Sequence, residues 1–120
     1  MDENITENTE KIEYARGALD FICGMFRSIL DMDEDMDEGM AMTEGNALIL
    51  NKLHQRIFDA AENLIAADIG EIYGTIGVVS TAVDICRVVL DLETNMNPQL
   101  KEMLKTLTEM MTTVIEEKLQ

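Results

Sequence analysis

Apolar residues recur along this chain at steps of three and four. Ile12, Ala15, Leu19, Ile22, Phe26 and Ile29 form one such stripe, and Leu50, Leu53, Ile57, Ala61 and Leu64 form a second. Ile72, Ile76, Val79, Val83, Cys86 and Leu90 follow as a third, and Leu100, Met103, Leu107, Met110 and Val114 as a fourth. Side chains so spaced share one face of a 3.6-residue helix, so each stripe predicts an amphipathic helix with one buried side. The third stripe is rich in β-branched residues, but its period is that of a helix, and period outweighs propensity. The predicted helices span 9–32, 45–67, 69–92 and 98–118.

Capping chemistry sharpens the ends. Thr6, Asn8 and Thr9 offer N-caps near the first helix, and Asn97-Pro98 supplies an N-cap followed by proline at the first helical position. Asp68-Ile69-Gly70-Glu71 has the form of a capping box, which separates the second helix from the third. Against that break, Ile65, Ile69, Ile72 and Ile76 also continue one stripe, so a single kinked helix is the alternative. Unbroken from Asn46 to Leu92, it would run about 70 Å at 1.5 Å per residue, which is long for a chain of 120 residues. A break near 67–71 is therefore expected. The fold class that follows is all-α: one domain, 1–120, forming an antiparallel four-helix bundle with short joints. No repeat with a period between about 20 and 50 residues stands out.

One face of the third helix is unusual. Gly70, Gly74, Gly77 and Thr81 align at steps of four, three and four. An interior helical glycine costs about 1 kcal/mol relative to alanine. Close approach of a neighbouring helix would offset that cost, and so would a homodimer seam or contact with a small ligand.

Composition then restricts the chemistry. Aromatic residues are scarce and tryptophan is absent, so the core must be aliphatic and methionine-rich. The formal charge is −15, from 24 acids against 9 bases. Such a chain repels phosphates, which argues against direct binding to nucleic acid or to an anionic membrane, and favours a basic protein or a cation as partner. The start, MDENITENTE, has no apolar segment of the kind a signal peptide carries, and no apolar run approaches the ~18 residues that a membrane crossing needs, so a cytoplasmic protein is expected. Cys23 and Cys86 lie on helical stripes and read as two reduced, buried thiols.

Catalytic patterns are missing. His54 is the one histidine, and no carboxylate lies one turn away from it, so a carboxylate-bridged metal pair has no ligands. The cysteines are isolated, which removes a zinc site, and a Cys86–His54 pair lacks an orienting third group. The glycines of GEIYGTIG are not followed by the lysine of a phosphate loop. No catalytic residue and no cofactor is expected.

The segment DMDEDMDEGMAMTE, residues 31–44, carries the densest charge, with six acids in its first eight positions. Started at Asp33, it resembles an EF-hand calcium loop: Asp33, Asp35 and Asp37 take the first, third and fifth positions, Met40 the eighth and Glu44 the twelfth. It departs from that pattern where the loop must turn, because Glu38 stands in place of glycine and Gly39 comes one position late. Metal ligation by Asp33, Asp35, Asp37 and Glu44 is thus an alternative. Met32, Met36 and Met40 are spaced by four and continue the first helical stripe. The segment could accordingly be a helical extension ending at Gly39, a suitable C′ residue. Acids at a helix C-terminus oppose the macrodipole, and no Lys or Arg lies within the segment to relieve them.

The first 40 residues hold 12 acids and 3 bases, against 12 and 6 in the remaining 80, so this region is the negative pole of the molecule. The expected function is non-enzymatic interaction through Asp31, Met32, Asp33, Glu34, Asp35, Met36, Asp37 and Glu38 with a basic surface of another protein. A nucleic-acid-binding partner would suit, because dense acids can compete with phosphates spaced about 1.7 Å apart along a duplex axis. An inhibitor of the DNA-mimic kind, such as a phage protein directed against a host defence factor, fits that description. Divalent-cation binding and a small structural homo-oligomer are the alternatives.

Overall fold

The computed structural model describes residues 2–64 and 69–119 and places four helices: α1 (Asp2–Glu34), α2 (Glu44–Asn63), α3 (Ile69–Leu92) and α4 (Pro98–Val114), followed by a π-helical turn over Ile115–Leu119. Neighbours around the bundle are α1 with α2, α2 with α3, α3 with α4, and α4 with α1. The molecule is a rod of 57 × 20 × 19 Å, as long helices packed side by side require. No strand interrupts it among the described residues. Among these residues also, no helix is long and apolar enough to cross a membrane.

The four stripes meet in one core. Leu19, Ile22, Phe26 and Ile29 of α1 face Leu50, Ile57 and Leu64, and Val79, Cys86, Leu100, Leu104 and Leu107 complete the interior, all without solvent exposure. Each such aliphatic side chain contributes roughly 1.5–3 kcal/mol by leaving water. Helices α2 and α3 are separate and packed against each other, so the single kinked helix is not formed. The capping box at 68–71 and the surroundings of Gly70 lie outside the described residues.

Helix boundaries differ from expectation in two places. At the start of the chain α1 begins at Asp2, so Thr6, Asn8 and Thr9 lie within the helix rather than capping it. At its other end α1 stops at Glu34, one turn short of the extension to Gly39. The stop is made by tightening: Asp35 N–H donates to the Met32 carbonyl and Met36 N–H to the Asp33 carbonyl, each at 3.2 Å, which are three-residue steps. Gly39 has no positive φ and is no αL cap. The end of α3 and the start of α4 follow the sequence: Asn97 Oδ1 accepts the Gln99 and Leu100 amides at 2.9 and 3.2 Å, with Pro98 in the first turn.

Comparison of the two helical hairpins exposes a repeat with a register of 60 residues. RSILDMDEDM at 27–36 matches RVVLDLETNM at 87–96, with Arg, Leu, Asp and Met identical and four further positions conservative. Burial follows the same register: Ala15, Leu19, Ile22, Cys23, Phe26, Ile29 and Asp33 are buried, and so are Thr75, Val79, Ala82, Val83, Cys86, Val89 and Glu93. The period is that of a whole hairpin, longer than about 20–50 residues.

At Gly74 and Gly77 the close helix approach expected of the glycine face is not present among the described residues. Gly74, Gly77 and Thr81 are exposed, and a Cβ built on Gly74 or Gly77 meets nothing within 4 Å among the described residues. Thr81 turns its hydroxyl back to the Gly77 carbonyl at 2.8 Å. Gly17 and Gly24 on α1 are equally open. With room for a methyl group, alanine at Gly17, Gly24, Gly74 or Gly77 should stabilise the monomer by about 0.5–1 kcal/mol per site, chiefly by restricting the unfolded chain. Thermal unfolding of the four single variants checks this. A loss of stability at Gly74 or Gly77, together with loss of a dimer in sedimentation, would instead identify the seam between copies.

Candidate functional site

Residues 31–44 lie at the end of the bundle where both hairpins turn. There the loop between α1 and α2 docks on the loop between α3 and α4. Asn97 N–H donates to the Met40 carbonyl at 2.8 Å, and Met42 and Met96 are buried beneath the junction.

Two carboxylates hold this end together. Asp33 is 8% exposed, and its Oδ1 accepts the Met42 amide at 2.7 Å. Glu93 is 7% exposed and reaches across to the other hairpin. Its Oε1 accepts the Thr43 amide and the Thr43 hydroxyl at 2.9 Å each, and the Asn46 side-chain amide at 2.7 Å. Thr43 is the N-cap residue of α2, yet its side chain makes no capping bond of its own. Glu93 supplies the missing negative group instead, and a carboxylate beside a helix N-terminus is favoured by the macrodipole. Burial raises the pKa of Glu93, but the hydrogen bonds from Thr43 and Asn46 outweigh it and hold the carboxyl below its ordinary 4.5.

The remaining acids are of a different kind. Asp31, Glu34, Asp35, Asp37 and Glu38 are exposed, as is Glu44 in the first turn of α2. No Lys or Arg occurs between Arg27 and Lys52. Met32 and Met36 are half-buried and pack against the core, so the methionines between the acids serve the bundle. Asp33 likewise belongs to the scaffold, which corrects its assignment to the partner surface.

The calcium-loop geometry is not formed. Positions Asp33 and Glu34 are still helical, Asp33 points inward to Met42, and no group of three or more metal-ligating side chains converges among the described residues. An EF-hand requires its ligands to wrap one point. Here the chain leaves the helix and turns at 37–41, where Met40 and Ala41 donate to the Asp37 carbonyl at 2.8 and 3.0 Å.

Cysteine and histidine meet only through the backbone among the described residues, where the Cys23 thiol donates to the His54 carbonyl at 3.9 Å. Cys23 and Cys86 are buried free thiols. Burial first, with Asp20 adding, pushes the Cys23 pKa up to about 11, and burial pushes that of Cys86 up to about 12 against a hydrogen bond with Thr108. Such thiols carry almost no thiolate at neutral pH. The His54 ring lies 6.4 Å from the Phe26 ring, in a groove shared with Arg27, Asp31, Glu34 and Asn51. Its Nδ1 is buried without a hydrogen-bond partner.

Glu93 was not picked out by the sequence reading, although it occupies the place of Asp33 in the second repeat. Its replacement by alanine leaves three donors at the start of α2 and should cost about 1–3 kcal/mol, read as a fall of several degrees in Tm. Glu93→Gln keeps an acceptor oxygen and should cost less. Because folding lowers the pKa of Glu93, the benefit of its charge is complete above about 4.5 and is lost as pH falls through the folded value. The stability gap between the native protein and Glu93→Gln should be level from neutral pH down to that point and narrow below it. Denaturant titrations at several pH values measure the gap.

Burial, and secondarily the Arg27 charge, lower the pKa of His54 from 6.5. The unfolded chain thus takes up a proton before the folded one, so stability falls as pH drops below 6.5 and is unaffected above it. An imidazole NMR titration should place the midpoint below 6.5, and Arg27→Gln should move it upward. A midpoint at or above 6.5 in the native protein would contradict the placement of the ring.

The chain matches no protein-family model, no curated protein and no solved structure.

Proposed function

We propose that this protein is a non-enzymatic interaction module that presents the acidic end of its bundle to a basic surface on another protein. The observation that carries this is the division among the acids. Asp33 and Glu93 are committed to hydrogen bonds that lock the loops, whereas Asp31, Glu34, Asp35, Asp37 and Glu38 are exposed, and from residue 28 to 51 no Lys or Arg stands among them, Arg27 beside Asp31 and Glu34 being the nearest base in sequence. Helix α1 has no basic residue in its last turn, so these charges face the negative end of its macrodipole. Each such placement costs roughly 0.3–1 kcal/mol, and a basic partner relieves it. The clamp beneath gives the acids a fixed platform, which lowers the entropy lost on docking.

The partner chemistry best suited to this end is a protein surface built for phosphates, such as the basic groove of a nucleic-acid-binding factor. Exposed carboxylates spaced along a tight turn offer a charge density comparable to that of a phosphodiester backbone. Competition with nucleic acid is the mechanism that follows: occupation of the groove excludes the natural ligand.

The test compares the native protein with a variant in which Asp31, Asp35 and Asp37 become Asn and Glu34 and Glu38 become Gln, leaving Asp33 intact. Affinity capture should recover a basic protein with the native chain, lose it as salt is raised, and fail with the variant at unchanged Tm. Added duplex DNA or RNA should displace the captured protein. Retention of every partner by the variant would sink the proposal.

A further inference from the structure

The face formed by α1 and α4 carries a second, unlike surface. Tyr14, Ala18, Phe21, Met25, Ser28 and Met32 run along α1 at steps of four, three, four, three and four, beside the core stripe and not within it. Tyr14 is 63% exposed and Phe21 is 62% exposed, while Met25 and Met32 are half-buried. Helix α4 answers with Gln99, Met103, Thr106, Met110 and Thr113, again at steps of four and three. Tyr14, Ala18, Thr106 and Met110 line a groove between the two helices. Neither line contains a charge, in a chain whose net charge is −15.

The rims of this face carry more acid than base. Glu13, Asp20 and Asp31 are exposed along the outer edge of α1 with Arg27 among them, and Glu102 and Glu109 of α4 and Glu116 of the turn after it repeat every seven residues with Lys105 beside them. Glu109 and Glu117 reach the groove itself. The uncharged strip from Tyr14 to Met32 is about 27 Å long at 1.5 Å per residue, the length of a helix of about 18 residues.

From this arrangement we infer that the α1/α4 groove is a docking site for a basic amphipathic helix, which lays its apolar face between Tyr14 and Met32 and sets Lys or Arg against both acidic rims. A helix in a groove is read through apolar anchors spaced at three and four residues. Exposed aromatic residues supply the anchoring area, and thioether side chains conform to an irregular partner face. Charge selects the occupant. A second copy of this chain would bring acids against acids on both rims, and an anionic bilayer would be repelled in the same way. Only a partner that carries positive charge on either side of an apolar stripe complements the whole face. This inference shares only Asp31 with the acidic-end proposal and uses none of Glu34, Asp35, Asp37 and Glu38, so the two can be tested apart.

The probe is a synthetic 18-residue peptide with leucines along one helical face and lysines on its flanks, compared with a scrambled peptide of the same composition. Isothermal titration at physiological salt should give a dissociation constant in the micromolar range, at least tenfold tighter for the amphipathic peptide than for the scrambled one. Phe21→Ala and Tyr14→Ala should together weaken binding tenfold or more, and Phe21→Ala alone should weaken it at unchanged Tm, because that side chain is 62% exposed. Glu102→Gln with Glu109→Gln should weaken it and flatten its salt dependence. A variant neutralised at residues 34, 35, 37 and 38, with Asp31 kept, should bind within about threefold of the native protein. In methyl NMR spectra, Met25, Met103 and Met110 should shift while Met42 and Met96, buried under the loops, stay in place. Equal binding of the scrambled peptide, indifference to the aromatic substitutions, or shifts confined to Met42 and Met96 would each overturn the inference. So would a dimer in sedimentation that Phe21→Ala dissolves.

Discussion

The Glu93 carboxylate is the contact on which the arrangement of the two hairpins turns. It lies at the end of α3, accepts three hydrogen bonds from Thr43 and Asn46 at the start of α2, and so ties one hairpin to the other. The core beneath is made of Leu, Ile, Val, Ala and Met, with Phe26 as its one fully buried aromatic. Aliphatic interiors of that kind tolerate repacking, and stripes of similar side chains can slide against one another by a turn at modest cost. A carboxylate surrounded by three donors has no such freedom, because a shift leaves the donors unpaired at about 1–3 kcal/mol each. Asp33 does the same for the first loop through the Met42 amide. Apolar burial supplies the stabilisation of the bundle, and these two acids set its register.

The repeat explains why both acids stand where they do. In each hairpin the first helix ends on an Arg-x-x-Leu-Asp-x-acid sequence, and the acid continues the buried stripe after Ile29 or Val89. The two copies then diverge. Between the helices of the first hairpin lie residues 35–43, and between those of the second only residues 93–97. The longer loop doubles back far enough for Asp33 to bond within its own hairpin. The shorter one leaves Glu93 free to reach the cap position of α2. Where the second copy has Glu, Thr and Asn at 93–95, the first has Asp, Glu and Asp at 33–35, so the excess of charge belongs to the first loop alone.

Periodicity made the helices legible, because burial of one face is a local property of the sequence. Asn97-Pro98 marked the start of α4 for the same reason: a cap bonds to amides two and three residues away. The acidic segment was harder to read because alternate acids satisfy two patterns at once. As a loop they suggest metal ligands, and as a helix they spread around its circumference. The discriminating feature was the step of four from Ile29 to Asp33, which puts that acid on the core side while its neighbours face outward. The role of Glu93 is invisible locally, since its donors lie 47 to 50 residues away in the chain. Only the match between residues 27–36 and 87–96 hints at it. The open surroundings of Gly74 and Gly77 are likewise a matter of how α3 is rotated in the bundle, which the spacing of glycines does not determine.

The exposed acids stand apart from this internal logic. Among the described residues no hydrogen bond ties the carboxylates of Asp35, Asp37 or Glu38 to the scaffold, whereas the bonds made by Asp33 and Glu93 would form as well beside neutral residues. Seven acids without a base between Arg27 and Lys52 repel one another and the end of α1. The surrounding structure offsets that cost through the docked loops, the buried Met42 and Met96 and the clamp across the hairpins. A sequence under selection for stability alone would replace several of these acids with little consequence for packing. Rules of local stability are broken in natural proteins chiefly where a surface has work outside the fold. In this bundle that departure is confined to one end, held rigid by two acids of the same kind that have turned inward.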